Sequence, residues 1–152
     1  MITSKFPAKW LAASALLIGL WGCSHNKSYV KDGQIQRTID GDEVQKDRVE
    51  AIGIGAADTT MTNQTQRMAT SRDAAIVAAQ NELLTMIKGA KIEGGITVQK
   101  AMETDSKLQT SINEVIKGAE IIKTEWTKDD GCVVQLRISK KRLESMMGVK
   151  FL

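Results

Sequence analysis

Residues 63–88 restrict the fold of this chain more than any other stretch. Met68, Ala75, Ala79, Leu83 and Met86 recur at helical spacing on one face, with Ile76 and Ile87 on its flank. Alanine dominates the middle of that face, as expected where a helix must come close to a flat neighbour. Lys88 suits the negative end of the helix dipole, and Gly89 suits the position just past the last turn. Val77 and Leu84 lie on the other side and are candidates for contact with a second element or a partner. The flat neighbour is predicted immediately upstream. Residues 49–55, Val-Glu-Ala-Ile-Gly-Ile-Gly, alternate and are β-branched, the pattern of a strand. Gly53 and Gly55 have no third glycine at dinucleotide spacing, and no Gly-Lys-Ser/Thr follows them. They are read as a place where strand and helix backbones meet.

Downstream, residues 91–103 alternate again. Ile92, Ile96, Val98 and Met102 share one side, while Lys91, Glu93, Thr97, Gln99 and Glu103 share the other. This predicts a strand with one dry and one wet face, with Gly94-Gly95 as a bulge. Asp105 is then expected to cap a short helix with the stripe Leu108, Ile112, Val115 and Ile116, ended by Gly118. Residues 119–127 and 132–138 form a predicted hairpin around Asp130-Gly131, with Ile122, Thr124 and Trp126 on one side of its first strand. Ser139 caps a last helix with Leu143, Met146 and Met147 inward, and residues 149–152 are an apolar tail expected to dock. The order β-α-β-α-β-β-α predicts the α+β class: a small antiparallel or mixed sheet packed by one long helix and shorter helices.

The N-terminal region reads differently. Lys5 and Lys9 precede an apolar run from Trp10 to Leu20, followed by Gly22 and Cys23. This is the layout of an export signal, and about a dozen apolar residues are too few for the roughly 20 of a spanning helix. Ala13-Ser14-Ala15 resembles an ordinary cleavage site, but cutting there would leave half the apolar run on the product. Leu20-Trp21-Gly22-Cys23 resembles the lipobox of bacterial lipoproteins, with Trp21 where a small residue is commoner. The resemblance implies that Cys23 carries a diacylglyceryl thioether and, after cleavage, a fatty-acyl (palmitate) chain on its amine. Two or more chains hold a protein on a membrane for long times. Ser24, rather than aspartate, after the cysteine implies passage to the outer membrane. The expected organisation is a lipoprotein signal peptide over 1–22, a lipidated N-terminus and flexible tether over 23–48, and an α+β domain over 49–152. One short extended piece is expected near residues 34–39.

The formal net charge of +3 falls to about +1 once Lys5 and Lys9 leave with the signal, so no electrostatic footprint for nucleic acid remains. With Cys23 acylated, Cys132 is the other cysteine, and no intrachain disulfide forms. Its strand shares an apolar side with Val134, Leu136 and Ile138. It is read as a small buried hydrophobe, with a reactive thiol or intermolecular bridge as the alternative. Trp126 is either buried beside the turn or exposed for ligand contact. Catalysis needs convergent acid, base, nucleophile or metal ligands. The one histidine, His25, lies two residues from Cys23, and Asp129-Asp130 are adjacent turn residues. No catalytic residue, metal site or cofactor is expected.

Taken together, the leader through Cys23, the run Ile52-Gly53-Ile54-Gly55-Ala56, the alanines 74, 75, 78 and 79, the helix end Met86-Ile87-Lys88-Gly89 and the closing hairpin resemble the LPP20 family of bacterial lipoproteins. The family's domain is similar to one in flagellar outer-membrane assembly proteins. The resemblance implies a helix-on-sheet fold and an envelope role without catalysis, and Cys23 is the residue that carries over. Two functions follow as expectations. One is a membrane-anchored, non-catalytic binding or assembly module with an envelope protein partner, linked to flagellar or outer-membrane structures. The other is an abundant structural or antigenic surface lipoprotein with no specific partner. Candidate contact surfaces are Val77 and Leu84, the wet face of Thr97, Gln99 and Glu103, and an open sheet edge.

Overall fold

The computed structural model describes residues 28–36 and 43–152. They fold as α+β, with all strand pairing antiparallel. A small hairpin comes first, β1 (Val30–Lys31) and β2 (Gln34–Ile35). The main elements are β3 (Glu43–Val44), β4 (Arg48–Gly55), α1 (Gln64–Gly89), α2 (Val98–Thr104), α3 (Ser106–Lys117), β5 (Glu120–Trp126), β6 (Cys132–Ser139) and α4 (Lys140–Met147). The larger sheet has the order β3-β4-β6-β5. Its centre is the long β4–β6 pairing, in register from Arg48 opposite Ser139 to Gly55 opposite Cys132.

α1 lies on one face of this sheet, and small residues set the closeness of the approach. A methyl group at Gly53 would overlap the Ala75 carbonyl oxygen, and one at Gly55 would overlap that of Ser71. Ala75, Ala79, Leu83 and Ile87 of α1 are buried against Val49 and Ala51 of β4 and Cys132, Val134, Leu136 and Ile138 of β6. Ser71 is fully buried on the same stripe; its hydroxyl donates to the Asp130 carbonyl at 2.7 Å, so the polar group is satisfied inside the core. The Asn63 side chain caps α1 by accepting from the Gln66 N–H. Asp105 caps α3 and Ser139 caps α4, as their sequence positions predict. The α3 stripe Leu108, Ile112, Val115 and Ile116 is buried.

The strand predicted over 91–103 is a correction. Gly94 and Gly95 take φ of +99° and +76°, and they fold the chain into a tight turn rather than a bulge. Lys91 makes an isolated bridge to Thr97, and Ile92 to Phe151. Thr97 accepts from the Lys100 N–H and starts α2. Val98 and Met102 fit both a two-residue and a helical repeat, being four apart. Val98 and Ala101, three apart, form the buried face of the helix. Two smaller corrections follow from local geometry. A register shift between Ile121 and Lys123 places Ile121, opposite Leu136, on the same side of the strand as Thr124 and Trp126, in place of Ile122, and Ile121 is 40% exposed there. Leu143 and Met147 of α4 are buried, whereas Met146 is 40% exposed. The tail docks through Val149 and Phe151, and Leu152 stays exposed.

Candidate functional site

Residues that alternate with the buried ones point to the other face of the sheet, away from α1. Glu50 is buried there at the sheet's centre. Its carboxylate accepts from Arg137 Nε at 2.6 Å and Gln135 Nε2 at 2.9 Å, and Arg48 forms an ion pair with it at 2.9 Å. Two donors on β6 and one further cation on β4 thus surround one acid. The buried carboxylate oxygens thereby keep hydrogen-bond partners inside the sheet face.

Toward the β5–β6 turn, the outer face is occupied by residues 28–36. Asp32 and Gly33 both have positive φ, +53° and +75°, and they close the β1–β2 hairpin as a primed turn. Glu125 of β5 holds its base. The Ser28 hydroxyl donates to one carboxylate oxygen and the Tyr29 N–H to the other, each at 2.6 Å. Lys123 completes the cluster, 3.5 Å from Glu125 and 5.3 Å above the centre of the Tyr29 ring. Burial acts to raise the Glu125 pKa, but the Ser28 and Tyr29 bonds and the Lys123 charge outweigh it and hold the carboxyl below its usual range. At the hairpin tip, Lys128 N–H donates to the Gly33 carbonyl at 3.0 Å. A crevice of about 460 Å³ remains between the hairpin and the sheet end, lined by Gly33, Ile35, Ile54, Ala56, Lys128 and Gly131.

The turn itself ties the sheet to the start of α1. Asp130 (φ +64°) accepts from Gln64 Nε2 at 2.8 Å and from Arg67 Nε and Nη2 at 2.9 and 2.7 Å. The Gln64 amide and the Arg67 guanidinium depress its pKa. Asp129 accepts from the Thr127 hydroxyl, which lowers its pKa as well. Both aspartates are thus engaged in turn geometry. Arg67 and Ser71, which bind the turn from α1, carried no sequence signal because their partner is some sixty residues away. The hairpin did carry one: Asp32-Gly33 between short extended pairs is a strong local turn signal.

The remaining predicted residues are dispersed. Val77 is 54% exposed on α1, whereas Leu84 is half-buried and packs against the core, so the two form no common outer stripe. Thr97 is spent as a cap. Gln99 and Glu103 sit on α2 around a shallow hollow with Lys88 and Gln109, so the wet strand face is replaced by a helix surface. Trp126 is half-buried against the core. Cys132 is buried, and burial pushes its thiol pKa up, away from reactivity. β3 and β5 form the sheet's edges. A second, more apolar hollow of about 210 Å³ lies at the opposite end, lined by Val49, Met86, Ala90, Lys91, Lys140 and Phe151. Cys23 and His25 lie outside the described residues. Among the described residues, no group of three or more His, Cys, Asp or Glu is placed to hold a metal ion, and no helix is long and apolar enough to cross a membrane. No family model, no curated protein and no solved structure matches this chain.

Proposed function

We propose that this chain is a lipid-anchored envelope lipoprotein whose α+β domain acts as a non-catalytic binding or assembly module. The observation that carries the proposal is the sequence Leu20-Trp21-Gly22-Cys23, placed directly after a basic start and a short apolar run. The thiol of Cys23 is the acceptor for the diacylglyceryl group, and Ser24 directs the product to the outer membrane. The resemblance to the LPP20 lipoproteins supports the same reading and offers envelope or flagellar structures as the partner class. The way the domain spends its reactive groups supports a binding role. Asp129 and Asp130 build a turn, Glu50 and Glu125 are tied to neighbouring donors, and Cys132 is packed away. Surfaces free for an envelope partner are Val77 on α1 and the edge strand β5 around Glu120 and Ile121.

The test is metabolic labelling with a palmitate analogue. Wild type takes up label and fractionates with membranes; Cys23→Ser takes up none and accumulates uncut. Absence of label from wild type would refute the anchor. Crosslinking in intact cells then separates an assembly module, with one dominant product weakened by Val77→Glu, from a coat lipoprotein, with diffuse products.

A further inference from the structure

We infer that residues 28–36 are a strap that holds the domain against the lipid leaflet with its β5–β6 turn end inward, rather than part of a long leash. The inference rests on the anchor at Cys23 proposed above and adds to it an orientation and a surface. If everything from Cys23 to the start of β4 were unattached chain, the domain could stand about 90 Å off the leaflet at full extension. Ser28 and Tyr29, however, are bonded to Glu125, the β5 residue opposite Val133 and next to the turn pair Trp126–Cys132. The Gly33–Lys128 bond fixes the same hairpin to the turn at its other end. The chain between lipid and folded domain is therefore the stretch from Cys23 to Ser28, which spans at most about 18 Å.

That length is shorter than the domain. α1 runs from the turn, where Arg67 binds Asp130, to Lys88 beside α2, about 32 Å along its axis. The short connection leaves at the turn end, so that end faces the headgroups and α2 faces away. The partner surface is the lipid headgroup layer. It meets the hairpin, the β5–β6 turn and the loop after β4, which together line the crevice at that end.

The test uses the lipidated full chain in phosphatidylcholine vesicles containing a headgroup-labelled acceptor lipid. A donor dye is placed at Thr59→Cys, exposed in the loop after β4, or at Glu103→Cys, exposed on α2. Cys132 is buried and Cys23 acylated, so the introduced thiol takes the dye. Energy transfer is expected to be higher from position 59 than from 103 by about twofold or more, given about 30 Å between the two ends. The difference should shrink in a Glu125→Ala background that keeps its circular dichroism, because the chain is then held to the turn only through Gly33 and Lys128, up to about 36 Å from Cys23. Equal transfer from the two positions in the otherwise wild-type chain would overturn the orientation. A difference that survives Glu125→Ala undiminished would overturn the strap as its cause. A chain that fails to float with vesicles would refute the anchor itself, and is seen before any transfer is measured.

Discussion

The face of the sheet under α1 is held by close approach of backbones, whereas the face away from it is held by charged side chains that reach across strands and to residues 28–36. On the helix side, Gly53 and Gly55 lie against Ala75 and Ser71 with no room for a methyl group. On the outer side, Glu50 gathers Arg137, Gln135 and Arg48, and Glu125 gathers Ser28, Tyr29 and Lys123. Close packing cannot be rearranged without moving a whole helix. Ion-paired side chains on a partly wet surface can be broken one at a time. The first face is therefore expected to set global stability, and the second to set the position of one mobile-capable segment.

The largest effect should come from filling the inner face. Gly55→Ala should cost about 3 kcal/mol through overpacking against helix backbone, lowering the melting temperature by about 10 °C or more in calorimetry. A neutral result would show that α1 can lift off the sheet. Next is Glu50→Ala, which removes the acceptor from Arg137 and Gln135 and the ion pair from Arg48, and should cost about 2 kcal/mol in urea unfolding, with Glu50→Gln intermediate. Leu84→Glu places a charge where the side chain packs on the core and should cost about 1–2 kcal/mol, while Val77→Glu, on the exposed side, should stay within about 0.5 kcal/mol. Equal effects would mean that the two residues share one surface after all. Acid sharpens the contrast further. The Asp130 pKa is depressed in the folded chain, so its contribution is complete above the ordinary value of 3.8 and is lost as pH falls through the lower folded value. Asp130→Asn keeps the left-handed turn residue and should flatten the fall of melting temperature below about pH 4. A small global effect, about 0.5 kcal/mol, is also expected from Glu125→Ala, yet amide exchange over residues 28–36 should rise sharply in that variant.

Legibility in the sequence follows the same division. The inner face is written in local periodicity: the alternation of 49–55, the alanine spacing of α1, the α3 stripe and the caps Asp105 and Ser139 all lie where local pattern places them. Residues 91–103 were ambiguous because Ile92, Ile96, Val98 and Met102 satisfy more than one repeat. The φ of Gly94 and Gly95 decides between them. The bulge that exchanges Ile121 for Ile122 shifts a register by one residue, which alternation alone does not mark. The outer face depends on partners far apart in the chain. Glu125 is separated from Ser28 by 97 residues and Glu50 from Arg137 by 87, and charged residues at such distances carry no periodic signal. In residues 28–36 the Asp32-Gly33 turn was legible, but its docking was not, because that comes from Glu125 and Lys128 rather than from a core of its own.

The most direct test of the central claim is intact mass measurement of the native protein extracted from membranes. The account predicts a chain that begins at Cys23 and carries a diacylglyceryl thioether with an acylated amine. A chain that begins elsewhere, or that carries a plain thiol at Cys23, would contradict it.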